Sequence, residues 1–119
     1  MNCEVCGSPY AEKHHIIFKS QAKYLENVPI NFKYLCPEHH RGNKSPHMCR
    51  KIDKQYKQEY QEKIINLIAY NQFYTEEQIK HKLEISNNDV KRIVKKLNRS
   101  KEGYWGNELI VRLLGYKLY

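Results

Sequence analysis

The stretch KHHIIFKSQAKYLENVPINFKYLCPEHHRGNKSPH, residues 13–47, holds every histidine of the chain except His81. It opens on His14-His15 followed by Ile16-Ile17, and in an extended strand such neighbours point to opposite faces. Two consecutive imidazoles therefore do not ordinarily share one metal ion. The economical division is that one ligates a divalent cation while the other stays free to accept a proton from water near neutral pH. Further along, LCPEHH sets Cys36 and His39 three residues apart, the offset that also separates Cys3 from Cys6 in the upstream CEVC. Two such knuckles suit tetrahedral zinc, because each supplies two ligands from one tight turn. The expected structural zinc site is Cys3, Cys6, Cys36 and His39, with Cys49 competing with His39 for the fourth position.

A chain of 119 residues, 40% of them hydrophobic, has little apolar surface to bury, so a staple is expected. No apolar run approaches the roughly 18 residues of a membrane span. The opening MNCEVCGSPY has neither the basic start nor the apolar middle of a signal peptide. The expected compartment is the cytoplasm, where cysteines stay reduced and metal takes the place of disulfides. Twenty-one Lys and Arg against 13 Asp and Glu give a net charge of +8, with a pI near 9.3, which is the electrostatic footprint of a polyanion partner. DNA heads the expected partners and a membrane is not among them. A second copy of the chain or another protein partner stays open.

Composition shifts near Cys49. Residues 1–49 carry all four Cys and all four Pro, whereas residues 50–119 have no Pro, so the net charge splits into +2 and +6. Ser45-Pro46 reads as a helix start, and Ile52, Tyr56, Tyr60, Ile64, Leu67 and Ile68 recur at helical spacing. One long helix reaching about Tyr70 is expected, with residues 50–74 connecting the two halves. Thr75 and Gln78 form a capping-box pattern ahead of Ile79 and Leu83. After a turn at 84–86, Asn87 or Asn88 is expected to cap a helix with Val90, Ile93, Val94 and Leu97 inward and Lys91, Arg92, Lys95 and Lys96 outward. YWGNELIVRLLGYKLY favours a short hairpin, with a helix over Asn107–Leu114 as the alternative.

Taken together, His14-His15, the Asn31 that precedes FKYLC, the His40 that follows the second knuckle, and the flanking knuckles resemble the HNH nuclease family over about residues 3–47. The resemblance implies an α+β class protein: a zinc-stapled ββα-metal module over 1–49 that closes around one divalent metal and cleaves phosphodiesters, usually of DNA. Position by position, it implies that His14 and His40 ligate the catalytic metal, His15 is the general base, and Asn31 ties the loop and orients the base. Arg41 and Lys44 are expected beside the phosphates, and His47 is expected as a third ligand or a phosphate contact. Histidine at the first metal position favours Mn, Ni or Zn without excluding Mg.

The order of elements over residues 75–119 resembles a winged helix-turn-helix module, which would present Lys91, Arg92, Lys95 and Lys96 to DNA. The expected protein is a metal-dependent HNH endonuclease, of a size and pairing that suit a bacterium or phage. The rival is a non-catalytic zinc-stapled regulator or inhibitor that binds DNA or a protein.

Overall fold

Alternation sets the first element. Glu12–His15 form strand β1, which pairs antiparallel with β2, Phe32–Leu35, in the register Glu12↔Leu35 and His15↔Phe32. The connection between them is no tight turn. It runs through single 3-10 turns at Lys23–Leu25 and Pro29–Asn31, and it buries Ile17, Ala22, Leu25 and Val28 almost completely. Pro37 at the first helical position then starts a short helix, α1, over Pro37–Arg41. The structure, a computed structural model, describes residues 1–119.

The long helix α2 spans Arg50–Leu67, later at its start and earlier at its end than the sequence suggests. Ser45 is fully buried, and its carbonyl accepts the amides of Met48 and Cys49 in a turn, so Ser45 does not cap the helix and Cys49 takes that position. The turn carries His47 back towards β1. Tyr56, Tyr60, Ile64 and Ile68 make the buried stripe of the connecting segment.

Beyond α2 come β3 (Phe73–Tyr74), α3 (Glu76–Leu83), α4 (Asn87–Val94), β4 (Arg99–Ser100), β5 (Gly103–Trp105) and α5 (Gly106–Leu113). The second sheet is antiparallel, in the order β3-β5-β4. Thr75 and Gln78 form the expected reciprocal capping box on α3, which stops at Glu84 in the left-handed region (φ 55°). Ser86, one residue before the expected Asn87, caps α4 by accepting the Asp89 amide. The favoured C-terminal hairpin is corrected: the hairpin lies upstream in β4–β5, and Gly106–Leu113 is helical. The reason is amphipathic spacing, since Leu109, Ile110, Leu113 and Leu114 gather on one buried side. Gly106 is required where α5 begins, because a Cβ there would collide with the Ala69 carbonyl.

One continuous core of 24 residues includes Leu25 and Leu35 from the first half, Tyr60 and Ile64 from α2, and Ile93, Leu109 and Leu113 from the last third. Tyr60 donates from the middle of α2 to the Leu113 carbonyl at 2.7 Å. The molecule is an α+β fold of five helices and two small antiparallel sheets, measuring 48 × 25 × 24 Å. No helix is long and apolar enough to cross a membrane.

Candidate metal centres and functional site

The two knuckles meet at the end of the first sheet opposite the long β1–β2 connection. Cys6 Sγ lies 3.7 Å from Cys36 Sγ, Cys3 Sγ lies 3.7 Å from His39 Nδ1, and Cys36 Sγ lies 3.3 Å from the same nitrogen. A tetrahedron with metal–sulfur bonds of about 2.3 Å has S···S edges of about 3.8 Å, so the four atoms are spaced to hold a metal ion such as zinc. Burial alone would raise the Cys3 thiol, but backbone hydrogen bonds from Cys36, Cys6 and Val5 outweigh it and draw the group down to about 6. That favours the thiolate, the form that ligates. Cys49 stands apart from the cluster at the start of α2.

A second group forms where β1, α1 and the turn before α2 converge. Ligand atoms of His14, His40 and His47 all lie within 4.8 Å of one another. His40 Nε2 and His47 Nε2 are 3.1 Å apart, close to the edge of about 3.0 Å between neighbouring nitrogens on an octahedral ion at about 2.1 Å. His14 is 1% exposed, and its Nε2 is buried without any hydrogen-bond partner, a costly state for a polar atom unless an ion or water answers it. Burial, then the charges His47 and His40 would carry, push His14 down to about 3, so its imidazole is neutral and able to ligate. The chemistry of the donor set therefore fits a divalent metal. Glu12 completes the arrangement: its Oε1 accepts from His40 Nδ1 at 2.8 Å, which turns His40 Nε2 towards the other two rings.

His15 borders the same hollow of about 350 Å³, together with Lys13, Phe18 and Lys19. Its Nε2 lies 2.9 Å from the Glu26 carbonyl. A carbonyl can only accept, so Nε2 carries the proton and Nδ1 keeps its lone pair. Burial lowers the His15 pKa, against the Glu26 hydrogen bond and with Lys19 and Lys13, so the ring is neutral at pH 7. Asn31 is fully buried and ties the long connection together: its Oδ1 accepts the Ile17 amide at 2.7 Å, and its Nδ2 donates to Ile17 and Leu25 carbonyls. Asn31 thereby fixes the loop that presents the Glu26 carbonyl to His15.

The expected phosphate contacts are placed less uniformly. Arg41 is exposed and donates to Glu12 Oε2 at 2.6 Å, and Lys44 is exposed on the turn after α1. Lys91 pairs with Glu76 at 2.6 Å. Arg92 is held at the Lys23 carbonyl, Glu26 and Asp89. Lys95 and Lys96 are exposed beyond α4.

Glu12 and Phe18 belong to the site but were not expected there. Glu12 carried a readable signal, because two residues before His14 on a strand is the same face. Phe18, stacked 5.5 Å from His47, had none, since its neighbour lies 29 residues away in sequence. No family model, curated protein or solved structure matches the chain.

Proposed function

We propose that the protein is a metal-dependent endonuclease of the HNH type that hydrolyses phosphodiester bonds of DNA. The observation that carries this reading is the free Nδ1 of His15 on the same hollow as three converging imidazole nitrogens. A divalent ion held by His14, His40 and His47 would act as a Lewis acid towards a phosphoryl oxygen and the departing oxygen.

The chain's own groups do the rest. His15 Nδ1 takes the proton of an attacking water as the water oxygen bonds to phosphorus and the opposite P–O ester bond breaks, and the departing alkoxide takes a proton from bulk water, leaving a phosphate monoester and a hydroxyl. The Glu26 carbonyl holds His15 in the tautomer that leaves Nδ1 free, and it stabilises the imidazolium that forms. Asn31 holds that carbonyl in place. Glu12 orients His40, while Arg41, paired with Glu12, and the exposed Lys44 would meet flanking phosphates.

Zinc on Cys3, Cys6, Cys36 and His39 acts as a staple, welding the N-terminal segment to the start of α1. Residues 75–119, with α3, α4 and the β4–β5 hairpin in winged-helix order, form a buttress whose exposed Lys95 and Lys96 add outer phosphate contacts. The test is incubation of zinc-loaded protein with supercoiled plasmid in Mg, Mn, Ni or Zn, with chelator controls. Nicked or linear product that depends on added metal is expected. An inactive wild type on every DNA form would favour the non-catalytic DNA-binding regulator.

A further inference from the structure

We propose that the nucleic-acid strand leaves the histidine site along a basic channel between the first turns of α2 and the stretch 117–119, with Arg50, Lys54 and Lys117 as its phosphate contacts. This rests on the nuclease reading of the histidine site and adds the direction of the substrate.

Three hollows share walls in sequence. The histidine hollow shares Phe18 and His47 with a second one, which in turn shares Arg50 and Asp53 with a third of about 590 Å³. The third is walled by Arg50, Lys54, Lys57 and Lys117, and its one side-chain carboxylate, Asp53, is already paired with Lys57 at 2.9 Å. Lys57 is buried, with its ammonium 4.1 Å from the Phe18 ring centre, so a wall residue of the third hollow touches the aromatic ring that lines the first two.

The far wall is held firmly. Tyr119 donates its amide to Gln61 at 2.7 Å and accepts from the same side chain at 2.9 Å, while Gln21 donates to its hydroxyl at 2.8 Å. This fixes the backbone that carries Lys117. Arg50, Lys54 and Lys117 form no ion pair within the chain, and neither do Lys13 and Lys19 at the histidine end.

Two other hollows mix cations with several carboxylates. The hollow beside α4 has Glu76, Glu77 and Glu102 among its walls, and Lys33 faces both Glu4 and Glu59. A row of unmatched cations that begins at a hydrolytic site suits a ligand with regularly spaced phosphodiesters, whose counterions are released as each phosphate is met.

The test uses a fluorescein-labelled 24-base-pair duplex and zinc-loaded protein carrying His15→Ala, so that binding is read without cleavage. Arg50→Gln, Lys54→Gln and Lys117→Gln together are compared with a matched neutralisation, Lys95→Gln, Lys96→Gln and Lys101→Gln, after thermal melts show that both remain folded. The channel variant should lose about tenfold or more in affinity and lower the slope of log affinity against log salt by about 2 to 3, with a smaller loss in the matched variant. Equal losses, or none in the channel variant, would overturn the channel. If wild type still cleaves plasmid in that case, the nuclease reading stands without it. A His15→Ala parent with no salt-dependent affinity for the duplex also overturns the channel, and plasmid cleavage by wild type then judges the nuclease reading separately.

Discussion

At the scale of single residues, His14 and His15 show how one peptide bond separates two environments. His14 is sealed under His40 and His47 with ring centroids 5.1 and 5.0 Å away, while His15 leans on Phe32 and the Glu26 carbonyl. His15→Ala should lower plasmid cleavage about a hundredfold to ten-thousandfold, with fold, zinc content and DNA affinity nearly unchanged. His14→Ala should act through metal occupancy instead. Raising the divalent metal should partly restore cleavage in His14→Ala and leave His15→Ala inactive. Equal rescue of both, measured as initial rate against metal concentration, would remove the division of labour.

At the scale of elements, α4 reaches back to the loop between β1 and β2 that carries Glu26. Arg92 donates to the Lys23 carbonyl at 2.9 Å and to Glu26 at 3.3 Å, and Asn27 of the same loop donates to Asp89 at 3.2 Å. On the opposite side, Arg112 stacks 3.5 Å from the Tyr24 ring centre and donates to the α4 carbonyls of Ile93 and Arg92. Arg92→Ala should therefore loosen the Glu26 carbonyl and lower kcat about tenfold with little change in KM. Its sign in nitrogen NMR is loss of the single His15 tautomer, which a merely outer phosphate contact would not disturb.

Glu76 ties three elements of the last third. Hydrogen bonding from Lys91, with further help from Tyr104, holds its carboxyl below the usual range. A carboxylate lowered on folding contributes stability that is present above its unfolded pKa of about 4.3 and is lost as pH falls through the lower folded value. Glu76→Gln should lower the melting temperature at pH 7. The gap from wild type should close below pH 4, as followed by circular dichroism.

At the scale of the whole molecule, the continuous core leaves neither half its own interior. Leu25 and Leu35 share it with Ile93 and Leu113, and α4 packs on the turn at Lys23–Leu25. Unfolding should be one cooperative event. Cobalt in the cysteine–histidine cluster gives an absorbance signal for the first half, and the single Trp105 gives fluorescence for the last third. The two transitions in urea should coincide, and separated midpoints would show two independently folding units. Chelation of the zinc site should lower both midpoints together.

What could be read along the chain follows from local rules. The two knuckles are fixed by three-residue offsets, the capping box on α3 by Thr75 and Gln78, and the buried stripe of α2 by helical periodicity, so each is visible without the rest of the fold. His14 and His15 were separable because a strand alternates. His47 was expected at the site from its place near a helix start, but the turn at buried Ser45 that brings it to His14 was not legible, since it breaks that expected start. The helix over Gly106–Leu113 was decided by the space beside Ala69 and by an apolar side to fill, not by its branched residues alone. The alliance of Glu26 with Arg92, 66 positions apart, exists only because α4 lies on the loop. Local patterns name the ligands, whereas the shared core decides which of them meet, because burial rewards long-range packing that no short window contains.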